Sequence, residues 1–172
     1  MTEPTENSNS LAAFRSFDRD AHPDFDAIAR EIEAGYIYVQ RHPFAPLRIY
    51  NYSSRTQYDC RWNQATMQCR GLIVDDQDQI VARPFAKFFT YEQLNGVVPN
   101  EPFEVYEKLD GSLGVLYPAN GKMQIATRGS FSGKQAQRAT EIYHCKYGHV
   151  QVDDRMTYLF EVLYPENRIV VD

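Results

Sequence analysis

The sequence is poor in cysteine: Cys60, Cys69 and Cys145 are an odd count at irregular spacing, and no C-x-x-C occurs. That argues against a disulfide framework and against a zinc site of the usual ligand spacing. His144 and His149 lie beside Cys145, but lacking that spacing they read as ordinary residues at a helix end. No apolar run approaches the roughly 20 residues needed to cross a bilayer. The N-terminus, MTEPTENSNS, has neither the basic start nor the apolar core of a signal peptide, so a cytoplasmic protein without a membrane partner is expected. Internal repeats and low-complexity linkers are also missing. An excess of positive charge is missing too: the formal net charge is -5, which at face value speaks against a nucleic-acid partner.

The distribution of charge weakens that objection. Eight carboxylates against three arginines fall in residues 1–33, so the whole excess sits there and the remaining chain balances. Further on, Lys122, Arg128, Lys134, Arg138 and Lys146 face only Glu141 over one stretch. Local fields at a cleft matter more to a phosphate ligand than global charge, although the same residues also suit a solvated helix face. A hydrophobic fraction of 43% with 13% aromatics describes a globular chain rather than a disordered one, and 172 residues suffice for one domain with a core.

The pattern predicts an α+β fold with a mostly antiparallel sheet. Residues 1–22 are expected to be disordered or loosely ordered, and 23–172 to form the domain. A short helix is expected over 23–34, with Phe25, Ile28, Ala29 and Ile32 on one face and Gly35 ending it. Strands are expected at 36–40 and 47–52, a helical turn near 63–67, and a hairpin joining 70–75 to 79–83. Residues 103–108 and 112–117 flank a turn at Asp110-Gly111. The strand 122–128 pairs back across Asn120-Gly121, whose residues both tolerate positive φ. Ser132 is expected to cap a helix running to about Tyr147 and closed by Gly148. Strands at 157–163 and 168–171 follow. A strand ending flush at Asp172 reads as an edge strand or a cut chain.

One lysine stands at a strand end, in Glu107-Lys108-Leu109-Asp110-Gly111-Ser112. K-x-D-G alone arises by chance in roughly one chain of this length in 25, so it needs company. A lysine amine can attack the α-phosphorus of ATP to form a phosphoramidate. It must first be neutral, and at the ordinary lysine pKa of about 10.4 less than about 0.1% is neutral at pH 7. Neighbouring cations supply the necessary shift. Three further segments offer suitable residues: Gln68-Cys69-Arg70-Gly71-Leu72-Ile73 with Arg83-Pro84-Phe85-Ala86-Lys87-Phe88-Phe89; Thr127-Arg128-Gly129-Ser130; and Leu159-Phe160-Glu161-Val162 with Tyr164-Pro165-Glu166-Asn167-Arg168-Ile169-Val170. Each is compatible with a structural role. Glu161 in an apolar run is the hardest to dismiss, because a buried unpaired carboxylate is costly. It calls for a metal, a sugar hydroxyl or a basic partner.

Together and in this order, these segments resemble the phage-type RNA ligase 1 family of covalent nucleotidyltransferases. The resemblance runs from about Ile49 to Asp172 and includes Tyr50-Asn51-Tyr52, C-R-G-L-I, R-P-x-x-K-F-F, K-x-D-G-S, R-G-S and F-E-V-x-x-P-x-N-R-I-V. It implies an ATP-dependent RNA ligase built on an adenylation domain. In that scheme Lys108 is the adenylylated nucleophile, with Glu107, Asp110 and Gly111 around the nucleotide. Arg70 and Lys87 hold the β- and γ-phosphates, and Arg128 lies near the ribose or substrate phosphate. Glu161 binds the ribose or supports the metal. Phe88 or Phe89 packs near the nucleotide or into the core. The implied cofactors are ATP and Mg2+, and the partner is RNA with 5′-phosphate and 3′-hydroxyl ends, tRNA among the candidates. Family members also carry a later glutamate-glycine pair and a later K-x-K, and neither occurs here. The expectation is therefore a partial domain with impaired activity. The alternatives are a capping enzyme or DNA ligase, which nucleotide and end preference would separate, and a non-catalytic nucleotide- or RNA-binding remnant.

Overall fold

The computed structural model describes residues 6–97 and 102–164. The chain divides into two compact units, one of Met1–Tyr38, Tyr52–Arg70 and Phe85–Tyr106, the other of Val39–Asn51, Gly71–Pro84 and Glu107–Asp172. The fold is α+β, as the sequence pattern predicts, with one sheet ordered β1-β2-β3-β4 and another ordered β6-β5-β7. The strands are β1 (Ile37–Arg41), β2 (Leu47–Tyr52), β3 (Arg70–Asp75), β4 (Ile80–Ala82), β5 (Ser112–Ala119), β6 (Lys122–Thr127) and β7 (Leu159–Val162). The helices are α1 (Glu6–Ser16), α2 (Phe25–Glu33), α3 (Ser54–Tyr58), α4 (Gln64–Gln68) and α5 (Lys134–Lys146). Among the described residues no helix is long and apolar enough to cross a membrane.

The first unit is helical and polar-capped. Asp24 caps α2 by accepting from the Ala27 amide at 3.0 Å, and Gly35 leaves the helix at φ 78. The buried positions of α2 are Ile28 and Glu31 rather than an all-apolar stripe, and Ala29 is exposed. Glu31 is tolerated because the Asn63 amide donates to it at 2.7 Å and the Arg61 guanidinium at 3.2 Å. Asn63 and Thr66 form a reciprocal capping box on α4. Helix α1 lies inside the stretch expected to be loose. Its Ala13 packs into a cluster with Tyr52, Cys60, Trp62 and Met67, flanked by Phe17 and Phe89, and that burial is what polar composition alone did not reveal.

The second unit has a core of Leu47, Ile49, Ile73, Ala82, Val115, Tyr117, Ala119, Ala126 and Phe131. The Asn120-Gly121 turn joins β5 to β6 with φ of 50 and 75, the mirror-image turn that matches strand twist. The β3–β4 hairpin closes over Asp75, whose Oδ1 accepts from the Gln77 and Gln79 amides. Helix α5 buries Ala136, Ala139 and Tyr143, and Thr140 Oγ1 accepts from the Ile125 amide at 2.9 Å. Its N-cap is Gly133, not Ser132. Ser130 Oγ accepts from the amides of Ser132 and Gly133, so the loop is organised around Ser130.

One expected strand does not form. Residues 102–110 have no regular structure, and Phe103, Val105 and Tyr106 are 84%, 86% and 77% exposed. These β-favouring residues read as a strand, but β5, the partner expected across the Asp110-Gly111 turn, is already flanked by β6 and β7. The strand expected at 168–171 lies outside the described residues.

Candidate active site

Lys108 is exposed on the irregular segment, with Glu107 exposed beside it. The turn that follows is held from behind. The Gly111 amide donates to Glu161 Oε1 at 2.8 Å, and Ser112 pairs with Val162 where β5 meets β7. A Cβ on Gly111 would stand 2.6 Å from the Val162 carbonyl oxygen and 2.8 Å from Leu163 Cδ2. Only glycine allows that approach. Asp110 is half-buried, and its Oδ2 has no hydrogen-bond partner. A buried carboxylate oxygen of this kind calls for a donor or a cation.

Glu161 corrects a detail of the sequence reading. It is exposed rather than buried. Alternation along β7 sends Phe160 and Val162 toward Tyr143 and Ala139 of α5 and Glu161 to the other face. The partner it finds is a backbone amide. A carboxylate has two oxygens and about four acceptor positions, so engagement of Oε1 by Gly111 leaves acceptor capacity for a hydroxyl or a metal-bound water.

In the same unit, the glycine of the C-R-G motif meets the R-G-S motif through its backbone. Gly71 has φ +90, and a Cβ there would stand 3.4 Å from the Arg128 carbonyl oxygen. The R-G-S turn closes with the Thr127 amide donating to the Ser130 carbonyl at 2.9 Å, and Arg128 itself is exposed. Gly129 packs beside Asn51, whose buried Oδ1 has no hydrogen-bond partner. Asn51 is the middle residue of Tyr-Asn-Tyr, so three of the motifs that carry the resemblance come together here.

Arg70 and Lys87 belong to the other unit, and there both face the Phe85–Phe89 loop. The Arg70 guanidinium donates to the Phe85 carbonyl at 3.4 Å and lies 4.9 Å from the centre of the Phe88 ring. The Lys87 amide donates to the Met67 carbonyl at 2.9 Å. Its ammonium donates to the Phe88 carbonyl and stands 4.5 Å from the Phe89 ring centre and 5.3 Å from that of Trp62. Phe89 packs edge-on against Trp62 at 5.7 Å, so it is a core residue, whereas Phe88 is 62% exposed beneath Arg70. The sequence reading missed Trp62. Its one signal was being the only tryptophan in the chain. Cys69, next to Arg70, is no nucleophile, since burial pushes its thiol far above the ordinary range. Among the described residues no three His, Cys, Asp or Glu side chains are grouped to hold a metal.

The sequence profile of the RNA ligase family, of the phage RNA ligase 1 type, matches residues 68–171. With more than half of its length covered, the chain belongs to that family. Among curated proteins it is similar to one from Autographa californica nuclear polyhedrosis virus, named as a bifunctional polynucleotide kinase/RNA ligase. The two are 33% identical over 96 residues, covering 49% of this chain and 14% of the viral protein. The chain therefore corresponds to a small part of that relative's length.

Proposed function

We propose that the chain carries the adenylylating part of an ATP-dependent RNA ligase that repairs RNA by joining 5′-phosphate and 3′-hydroxyl ends through a lysyl-AMP intermediate on Lys108. The observation that carries this reading is the hydrogen bond from the Gly111 amide to Glu161. It ties the K-L-D-G turn to the F-E-V strand, the two segments that the family resemblance assigns to one nucleotide. In the first step the Lys108 amine attacks the α-phosphorus of ATP. The N–P bond forms, the bond to the bridging oxygen of pyrophosphate breaks, and the lysine proton departs. AMP then passes to the 5′-phosphate of RNA and frees the lysine. Attack by a 3′-hydroxyl seals the strand and expels AMP.

Within this scheme Glu161 holds the turn by its amide and offers its remaining lone pairs to a ribose hydroxyl. Arg70 and Lys87 supply fixed cations for the β- and γ-phosphates, which lowers the barrier to pyrophosphate departure. Arg128 faces the ribose or the RNA phosphate. Mg2+ is commonly bound through one or two carboxylates together with substrate phosphates, and the unpartnered Asp110 oxygen and the Glu161 carboxylate fit that chemistry. When bound, the ion neutralises the triphosphate and favours the neutral amine. The test is covalent labelling of the chain by α-labelled ATP with magnesium, beside Lys108→Ala, followed by addition of 5′-phosphate RNA. Label on the wild type alone, discharged by RNA, is the expected result. No label on either, with RNA affinity retained by both, would replace the enzyme with a non-catalytic RNA-binding remnant.

A further inference from the structure

Strand β2 reads Leu47-Arg48-Ile49-Tyr50-Asn51-Tyr52, and side chains two residues apart share a face. Leu47 and Ile49 both belong to the core of the second unit. The same alternation brings Asn51 to the place where a third apolar residue would continue that row. A carboxamide stands there instead. Its Oδ1 is buried and has no hydrogen-bond partner, an arrangement that folding disfavours unless a group from outside the chain fills it. A Cβ on Gly129 would stand 3.5 Å from Asn51 Nδ2, 3.7 Å from its Cβ and 3.9 Å from its Cγ, so the carboxamide lies against the backbone of the R-G-S turn. The residue before that glycine is Arg128, whose side chain is exposed. An arginine suited to a phosphate and a carboxamide suited to a neutral polar group are thus joined through one turn.

We infer that Asn51 binds a ribose 2′-hydroxyl, the neutral partner of the phosphate assigned to Arg128. This rests on the ligase proposal, which puts Arg128 near a ribose or an RNA phosphate. A carboxamide offers an acceptor at one end and donors at the other, and a hydroxyl both donates and accepts. A half-turn about the Cβ–Cγ bond exchanges Oδ1 with Nδ2, so Asn51 can present either end to the same hydroxyl. A phosphate only accepts, and would leave the orphaned oxygen unfilled. The 2′-hydroxyl is also the group by which a protein tells RNA from DNA at a given site, so one contact would serve both affinity and choice of substrate. Two sources supply it in this reaction, the ribose of ATP and the terminal nucleotides of the RNA.

The experiment removes the hydroxyl and the carboxamide separately and together. Wild type, Asn51→Leu and Asn51→Ala are compared in binding two pairs of ligands with magnesium present. The first pair is ATP and 2′-deoxy-ATP, each displacing a fluorescent ATP analogue. The second is 5′-phosphate RNA and the same RNA with 2′-deoxynucleotides at its ends, followed by anisotropy. Wild type is expected to prefer the ribo member of one pair by about two- to tenfold, the range of one neutral hydrogen bond. Both variants should lose that preference and bind the deoxy member as wild type does. The pair in which this happens identifies the source of the hydroxyl. Asn51→Leu should melt at or above wild type, because an apolar side chain of similar size replaces an unfilled acceptor. No preference in wild type, a preference that survives in both variants, or equal weakening toward both members of a pair together with a lower melting temperature would overturn the contact. Absence of covalent label on wild type from α-labelled ATP would overturn the adenylylation proposal alone where the preferences stand, and both where they do not.

Discussion

Two lysines are assigned to the same reaction, and the molecule treats them in opposite ways. Lys87 is half-buried, its amide bonded to Met67 and its ammonium held by a carbonyl and two rings. Lys108 is exposed on a segment without regular structure, and the fixed point is three residues later, at the amide of Gly111. The difference matches the two duties. A group that only presents charge gains from being held, since electrostatic stabilisation needs no movement during the reaction. A nucleophile that forms a bond with AMP and later gives it up must change its position, so its anchor belongs in the backbone behind it rather than on its amine.

The sharpest way to break this comparison is to remove each amine in turn. Lys108→Ala is expected to abolish covalent labelling by α-labelled ATP. Lys87→Met is expected to slow it by about a hundredfold, the usual cost of losing one preorganised charge contact, and to leave the final extent of labelling unchanged. Equal, complete loss in both would mean that the two lysines do not divide the work as proposed. A progress curve of label against time distinguishes the outcomes.

The next largest effect concerns the anchor. Gly111→Ala places a methyl group 2.6 Å from a carbonyl oxygen in β7, and backbone cannot yield as a side-chain tip can. A loss of about 1–3 kcal/mol in stability is expected, the usual scale of overpacking, with labelling reduced more than tenfold because the turn and strand part. Gly121→Ala is the control. It has φ +75 but nothing within 4 Å, so it should cost about 1 kcal/mol for the left-handed backbone and leave labelling alone. Chemical denaturation and labelling on the same preparations separate strain in the hairpin from damage at the site.

How much of this was legible in the sequence depended on whether the signal was local. The Asn120-Gly121 hairpin, the β3–β4 hairpin and strands β1 and β2 follow from turn chemistry and alternation, both written within a few residues. Helix α1 was missed because its polar sequence hides Ala13, whose burial depends on Trp62 and Met67 far along the chain. The strand at 103–108 was expected because Phe103, Val105 and Tyr106 are β-favouring residues just ahead of a turn. The partner expected across the turn, β5, was given to β7 instead, and sequence pattern does not say which strands pair. At the site, Lys108, Asp110, Gly111 and Glu161 were visible as residue types in order. The Gly111–Glu161 bond joins positions fifty residues apart, and neither motif announces it. Trp62 was invisible as a neighbour of Lys87 because a buried tryptophan in a hydrophobic cluster looks like core until the ammonium beside it is seen.

Glu161 tests the anchor more gently. Glu161→Gln keeps a carbonyl oxygen where Oε1 stands, so the Gly111 bond survives as a neutral one, and a charged acceptor is worth only about 1 kcal/mol more than a neutral one. Glu161→Ala leaves the amide with water or with nothing. The glutamine variant is expected to melt near the wild type and the alanine variant below it, while both lose labelling if the carboxylate also serves the ribose or the metal. Labelling by Glu161→Gln equal to wild type would confine the residue to holding the turn.

The smallest effect probes the other side of the comparison, the packing around Lys87. Cys60 shares a cluster with Trp62, and Cys69 is fully buried next to Arg70, whereas Cys145 is exposed on α5. Burial also raises the Cys69 thiol, so even a reagent that reached it would meet few thiolates. A thiol-alkylating reagent at neutral pH should therefore modify one cysteine in the native chain and three after denaturation, counted by intact mass, with no change in ATP binding after the first. Slow modification of Cys60 in the native state, accelerated in Phe89→Leu, would show the packing around Trp62 opening on the time scale of the reagent. Rapid modification of Cys60 in the wild type would mean that the rings around Lys87 are not packed, and the contrast between a held lysine and a movable one would lose its physical basis.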